Sequence, residues 1–188
     1  MPIYLGARDL KGVPVGRHQF IVIINNSLLS PRDVGGEKVQ ARDLGGGQKG
    51  VVVGAQNRGN LVVEFFNSSD YKAAKEYFGG VTREWYESDF DTYMIEVGFG
   101  DVRGSLAVNK ILGRIEAYLL NQRVDSIKYP TAGIGVNSNS WTQSVIEYSG
   151  GEVREDLPGL DISNDKRIPK TYFEPYCPVA PRPKVNAR

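Results

Sequence analysis

The chain has 188 residues, a net charge of +1, and 40% hydrophobic against 24% charged residues. That length fits one ordinary domain with a real core, and the balanced composition excludes a disordered chain and the strong basic field of a nucleic-acid binder. A single cysteine, Cys177, and a single histidine, His18, allow no internal disulfide and argue against a transition-metal site, so no cofactor is expected.

The longest apolar run, Phe20 to Ile24, is far short of the roughly 20 residues that cross a bilayer. The start MPIYLGARDLKG lacks the basic, apolar and small-residue succession of a secretory signal. The expected protein has no signal peptide and no membrane span, and is cytoplasmic or incorporated into a particle.

Arg17 to Asn25, RHQFIVIIN, is the clearest strand. His18, Phe20, Val22 and Ile24 fall on one face and Gln19, Ile21 and Ile23 on the other, and apolar residues on both faces predict a central position. Pro31 to Gly50 is glycine-dense and reads as a mobile connection. Lys49 to Val53 and Asn60 to Phe66 read as a β-hairpin around a turn at Gly54 to Gly59. Ser69 or Asp70 can cap a short helix that runs to Phe78 and closes on Gly79 and Gly80. Thr92 to Val97 is strand-like.

Ser105 to Gln122 has Leu106, Val108, Ile111, Leu112, Ile115, Tyr118 and Leu119 at helical spacing, with Arg114, Glu116 and Gln122 outside. A last helix over about Ser138 to Ser149 carries Trp141, Val145 and Tyr148 and ends at Gly150 and Gly151. From Leu157 onward six of the ten prolines appear without an apolar period. This predicts a domain over 1–156 and an extended arm over 157–188. The arm carries six basic and three acidic residues, a net of +3. Its aromatic residues Tyr172, Phe173 and Tyr176 are expected to anchor it on protein surface, part of it another subunit's, as a protein partner or a homo-oligomer; the alternative is an arm wrapped only on its own domain.

Two features bear chemistry. In GIGVNSNSW, Asn137 is a good N-cap, which puts Ser138 at the first helical position and Ser140 at the third. Backbone N–H groups at a helix start are unpaired and the dipole there is positive, so negative charge developing at Ser138 would be stabilised, with Asn137, Asn139 and Ser140 as candidate substrate or oxyanion residues. The same Asn-Ser-Asn-Ser run is also ordinary capping chemistry. His18, the only histidine, must supply any imidazole acid–base step, although it also suits a hydrogen-bonded position at a strand entrance. Two glycine-rich stretches, GFGDVRG and GGGQKG, have the wrong spacing for a dinucleotide fingerprint or a P-loop.

The order of these features matters. A strand with G-R-H-Q-F-I-V-I, then sheet, then a long helix, then N-S-N-S-W opening another helix, resembles the circularly permuted NlpC-type papain-like proteins, the group of lecithin:retinol acyltransferase and the H-Ras-like suppressor acyltransferases and phospholipases. In that group H-W-A-I-Y lies on an early strand and N-C-E-H-F begins a later helix, with cysteine as nucleophile and histidine as base. The resemblance spans His18 to about Gly150.

It implies His18 as base and Ser138 in the place of the nucleophilic cysteine, with Asn137 before it and Trp141 in the aromatic slot. The departure is that a serine hydroxyl needs a well-aligned base and an oxyanion hole, whereas a thiol is partly ionised near neutral pH. Glu64 on the second hairpin strand is the candidate third member, orienting His18, unless it faces solvent at a sheet edge; Gln56 is a second candidate. The expected fold is α+β, a mostly antiparallel sheet packed by two or three helices. The expected function is a Ser–His hydrolase or acyltransferase on an ester or amide bond, or its degenerate descendant. The alternative is a non-catalytic structural or binding module of a larger assembly, such as a phage tail or a secretion-linked complex.

Overall fold

The computed structural model describes residues 1–10, 16–25, 31–80, 91–153 and 165–175. In chain order the elements are β1 (Ile3–Asp9), β2 (Arg17–Ile24), β3 (Arg32–Val34), β4 (Glu37–Val39), β5 (Arg42–Gly45), β6 (Gln48–Asn57), β7 (Leu61–Phe65), α1 (Ser68–Gly79), β8 (Thr92–Glu96), α2 (Gly104–Gln122) and α3 (Ser138–Tyr148). Short 3-10 turns lie at Thr131–Gly133 and Lys170–Phe173. Among these residues no helix is long and apolar enough to cross a membrane.

The double-sided apolar run of β2 makes it the hub of a six-stranded antiparallel sheet. β1 pairs with it on one side, Arg8 opposite His18, and β8 extends the sheet beyond β1. On the other side β6 pairs with β2 from Ile21 to Ile24, and β5 and β7 follow one another along β6's outer edge. β3 and β4 form a separate hairpin. Strand alternation then decides which residues meet which helices. Phe20, Val22, Ile24, Leu44 and Val52 pack on Ala73 and Ala74 of α1. Ile21, Ile23, Val51 and Val53 join the larger core with Ile111, Leu112 and Ile115 of α2 and Trp141 and Val145 of α3. Trp141 is fully buried, edge-on to Tyr118 at 6.0 Å.

Three expectations change. The stretch read as a mobile connection contains β3, β4 and β5. These strands are three or four residues long and mostly charged, and each is held by one buried apolar residue, Val34, Val39 or Leu44, too few to show a period. The hairpin turn is at Arg58 to Asn60, because β6 continues straight through Gly54 to Asn57. Leu106, placed in the buried stripe of α2, is 51% exposed in the helix's first turn, while Asn121 at the far end is buried.

The described part of the proposed arm, 165–175, packs on the domain core through Ile168, Tyr172 and Phe173. Tyr172 and Phe173 are buried against Tyr118, with ring centroids at 6.1 and 5.2 Å. The buried Asn121 amide donates to the carbonyls of Tyr172 and Glu174 at 2.9 Å each and of Thr171 at 3.3 Å. Arg114 donates to the carbonyls of Tyr148 and Phe173. The expectation of Tyr172 and Phe173 as partner anchors is therefore corrected, since their apolar surface is consumed by α2 and α3. Tyr176 and Cys177 lie outside the described residues.

Candidate active site

The site begins with a parting of strands. β6 leaves β2 beyond the Ile21–Val53 pair, so the β6-facing backbone groups of Arg17 and Gln19 need other partners. The start of α3 supplies them. Asn139 accepts from the Gln19 N–H at 3.0 Å and donates to the Arg17 carbonyl at 2.8 Å, bracketing His18. One turn later Thr142 donates its hydroxyl to the Gln19 carbonyl at 3.2 Å. The helix start is itself fixed by a capping box, in which the Asn137 side chain accepts from the N–H groups of Asn139 and Ser140 and the Ser140 hydroxyl accepts from the Asn137 N–H.

This seam brings the Ser138 Oγ to 3.1 Å from the His18 Nδ1. The other ring nitrogen, Nε2, is 3.2 Å from the Oδ2 of Asp70. Asp70 is the third residue of α1, whose N-cap is Asn67 rather than Ser69 or Asp70. Asp70 is fully buried. Its Oδ1 accepts from Arg8 Nε at 2.8 Å and its Oδ2 from Gln56 Nε2 at 2.7 Å. Room for the carboxylate depends on Gly54: a Cβ there would come within 2.8 Å of Asp70 Oδ2 and 3.1 Å of Phe20 Cβ. Burial alone would raise the Asp70 carboxyl. The charge and hydrogen bond of His18, then those of Arg8, outweigh it and hold the group below the usual aspartate range.

Asp70 therefore takes the place expected of Glu64, and the site-residue reading is corrected there. Glu64 lies on β7 and turns over the hairpin to accept from Arg58 Nε at 2.6 Å and from Asn67 Nδ2 at 2.7 Å. The Arg58 hydrogen bond is the main cause holding its carboxyl below the ordinary range. Asn137, Asn139 and Ser140 are buried and use their polar groups for the cap, the β2 seam and the Gly133 carbonyl. They build the site rather than line it. The helix-start N–H that the cap leaves over is that of Ser138, since the Asn137 side chain takes the next two.

In the chymotrypsin-type triad the serine meets Nε2 and the aspartate Nδ1; here the imidazole is turned end for end. Ser138 and His18 are each 5% exposed, so only an edge of the relay meets solvent. Two concavities, of about 460 and 690 Å³, are lined by the β8–α2 connection and by the middle of α2, the C-terminal end of α3 and the 170–175 segment, away from the relay.

Asp70 could have been found. Asn67 followed three residues later by an acid is a helix-start pattern, and the acid is one of few charges able to meet Arg8, which alternates onto the His18 face of the sheet. The residues so assembled define a buried Ser–His–Asp hydrogen-bond line between a strand and two helix starts. No family model, curated protein or solved structure matches the chain.

Proposed function

We propose that the chain is a hydrolase or acyltransferase acting on an ester or amide carbonyl, with Ser138 as nucleophile, His18 as base and Asp70 as the residue that orients His18. The observation carrying this reading is the unbroken line Ser138 Oγ, His18 Nδ1, His18 Nε2, Asp70 Oδ2, with steps of 3.1 and 3.2 Å across the ring. Such distances are within reach for proton transfer from a serine to its base.

In the first step the Ser138 oxygen bonds to the carbonyl carbon, its proton passes to His18 Nδ1, and the carbonyl electrons move onto oxygen. The resulting imidazolium keeps its Nε2–H on the ionised Asp70. The oxyanion meets the Ser138 N–H and the positive end of α3. Collapse expels the alcohol or amine, which takes the proton from His18, and leaves an acyl-Ser138 ester. Water or another hydroxyl or amine acceptor then attacks that ester, with His18 again as base. The same line, with serine where the resembling papain-like group has cysteine, supports an acyl-transfer reading over other chemistries.

A specific observation favours a second reading, a non-catalytic module in which the relay is a polar anchor between α3, α1 and the sheet: both Ser138 and His18 are almost wholly covered. Turnover separates the two. A panel of activated acyl esters, incubated with the protein and with Ser138→Ala, should show hydrolysis that the variant loses while its fold and melting temperature stay near the parent's. Absence of turnover in the parent, together with a destabilised Ser138→Ala, supports the anchor. Ser138→Cys refines the result, because a thiolate asks less of its base: reaction with a thiol-directed probe in that variant and none with serine-directed probes in the parent would mark a decayed site.

A further inference from the structure

The His18 ring has two hydrogen-bond schemes open to it. In one, Nε2–H donates to Asp70 and the Nδ1 lone pair accepts from the Ser138 hydroxyl. In the other, Nδ1–H donates to Ser138 Oγ and Nε2 accepts from Gln56, whose Nε2 is 3.1 Å away. Only the first leaves Nδ1 able to take a proton from serine. The proposed activity therefore depends on something that selects between tautomers.

We propose that Arg8 is the positioning residue that makes this selection, by holding Asp70 as an oriented, ionised acceptor on the Nε2 side of His18. Arg8 lies directly across from His18 in the β1–β2 register, so its side chain rises on the same face of the sheet. Its Nε donates to Asp70 Oδ1 at 2.8 Å, and its Nη1 donates to the Asp9 carbonyl at 3.1 Å, which fixes the guanidinium. With Oδ1 occupied, Oδ2 is the oxygen turned to His18 and Gln56. Gln56 is closer to that oxygen, at 2.7 Å, than to the imidazole, at 3.1 Å. An ionised carboxylate accepts both donors, so Gln56 is drawn away from the ring and Nε2 must carry hydrogen to complete its contact.

A protonated Asp70 could donate from one oxygen and would admit the other scheme. Among the described residues, the titratable or charged groups acting on Asp70 are Arg8 from β1, His18 from β2 and, as a like charge, Glu64 from β7; Gln56 from β6 contributes an uncharged donor. Arg8 is the permanent cation of this set. It is nearly buried, with a side chain 8% exposed, where a charge interacts strongly.

This inference rests on the reading of Ser138 and His18 as nucleophile and base, yet its test does not need activity. Because His18 is the only histidine, ring ¹⁵N labelling of histidine gives one pair of NMR signals that reports the tautomer directly. In alkaline buffer the parent should show the Nε2–H form, Arg8→Gln should shift the ring toward the Nδ1–H form, and Arg8→Lys should restore at least part of the parent pattern.

A parent ring in the Nδ1–H form overturns the proposal even if Arg8→Gln fails to fold, as does an unchanged tautomer in a folded Arg8→Gln. An Arg8-dependent Nε2–H ring in a protein whose Ser138 never reacts would uphold the positioning role and end the hydrolase reading. Ser138 reactivity with an Arg8-independent ring would do the reverse.

Discussion

Replacing Asp70 by asparagine keeps the side-chain outline and removes the charge. The partner left behind is Arg8, whose side chain is 8% exposed against 0% for Asp70, so the guanidinium faces a neutral amide with little access to water. Breaking a buried ion pair from one side costs about 3–5 kcal/mol, and the asparagine carbonyl, which still accepts one bond, puts this case at the lower end. Urea slopes of about 1–3 kcal/mol/M convert such a loss into a midpoint lowered by roughly 1–3 M. The transition can be followed through the emission of Trp141, which is fully buried.

A double-mutant cycle with Arg8→Met isolates the pair: the double variant should be less destabilised than the sum of the singles, by about 1–3 kcal/mol. The pH dependence has a fixed sign. The folded Asp70 carboxyl lies below the ordinary range, so the stabilisation is complete above the unfolded aspartate value, about 4. It fades as pH falls from there through the lower folded value. The gap between parent and Asp70→Asn should narrow over that acid window. A midpoint shift below roughly 0.3 M at neutral pH, or strictly additive singles, would refute the claim that Asp70 and Arg8 form one buried unit.

Gly54→Ala should disturb the relay without replacing any of its members, because the new methyl meets Asp70 Oδ2 and Phe20 Cβ at 2.8 and 3.1 Å; a loss of about 1–3 kcal/mol by thermal melting, with a changed His18 ring signal, is the expected result, and a neutral substitution would count against the tight seat drawn for Asp70. Asn121→Ala removes the shared donor of three carbonyls in 171–174 and should cost about 1–3 kcal/mol while making the 165–175 segment an early site of proteolysis; unchanged protease resistance would contradict its role as the clamp on that segment.

Strands β2, β7 and β8, the Lys49–Val53 half of β6, the helices and the cap at Asn137 were legible from local signals: β-branched runs on two faces, helical spacing of Ile111, Leu112, Ile115 and Tyr118, or an Asn-Ser-Asn-Ser helix start. β3, β4 and β5 were not, since a three-residue strand of mostly charged residues shows no period and takes its order from hairpin turns and one buried side chain each. The encounter of His18 with Ser138, 120 residues apart in sequence, lies beyond any local window; local pattern marked each only singly, as the one histidine and as a serine at a helix start.

Local pattern marks Asp70 as an acid at a helix start but does not choose it over Glu64 as the third member. Glu64 has the better sequence argument, an acid among apolar neighbours, yet Arg58 is only six positions away and meets it first. Asp70 wins because α1 crosses the face of the sheet where Arg8, His18 and Gln56 converge, a consequence of strand register that no window of sequence contains. For the arm the aromatic residues signalled burial, and Tyr172 and Phe173 are buried, but that they find this surface on their own domain is decided by Asn121 and Arg114 on α2.

The central claim is that Ser138 is a nucleophile activated by His18, and the site of covalent labelling tests it most directly. The protein is treated with a fluorophosphonate across a range of pH, its intact mass is measured, and the modified peptide is sequenced by mass spectrometry. The account predicts a single adduct on Ser138, absent in His18→Ala and slowed by as much as about 10⁴-fold in Asp70→Asn, the scale on which loss of the orienting carboxylate acts in a serine triad. A parent that takes up no adduct at any pH, or an adduct on Ser138 that forms equally fast in His18→Ala, would contradict it.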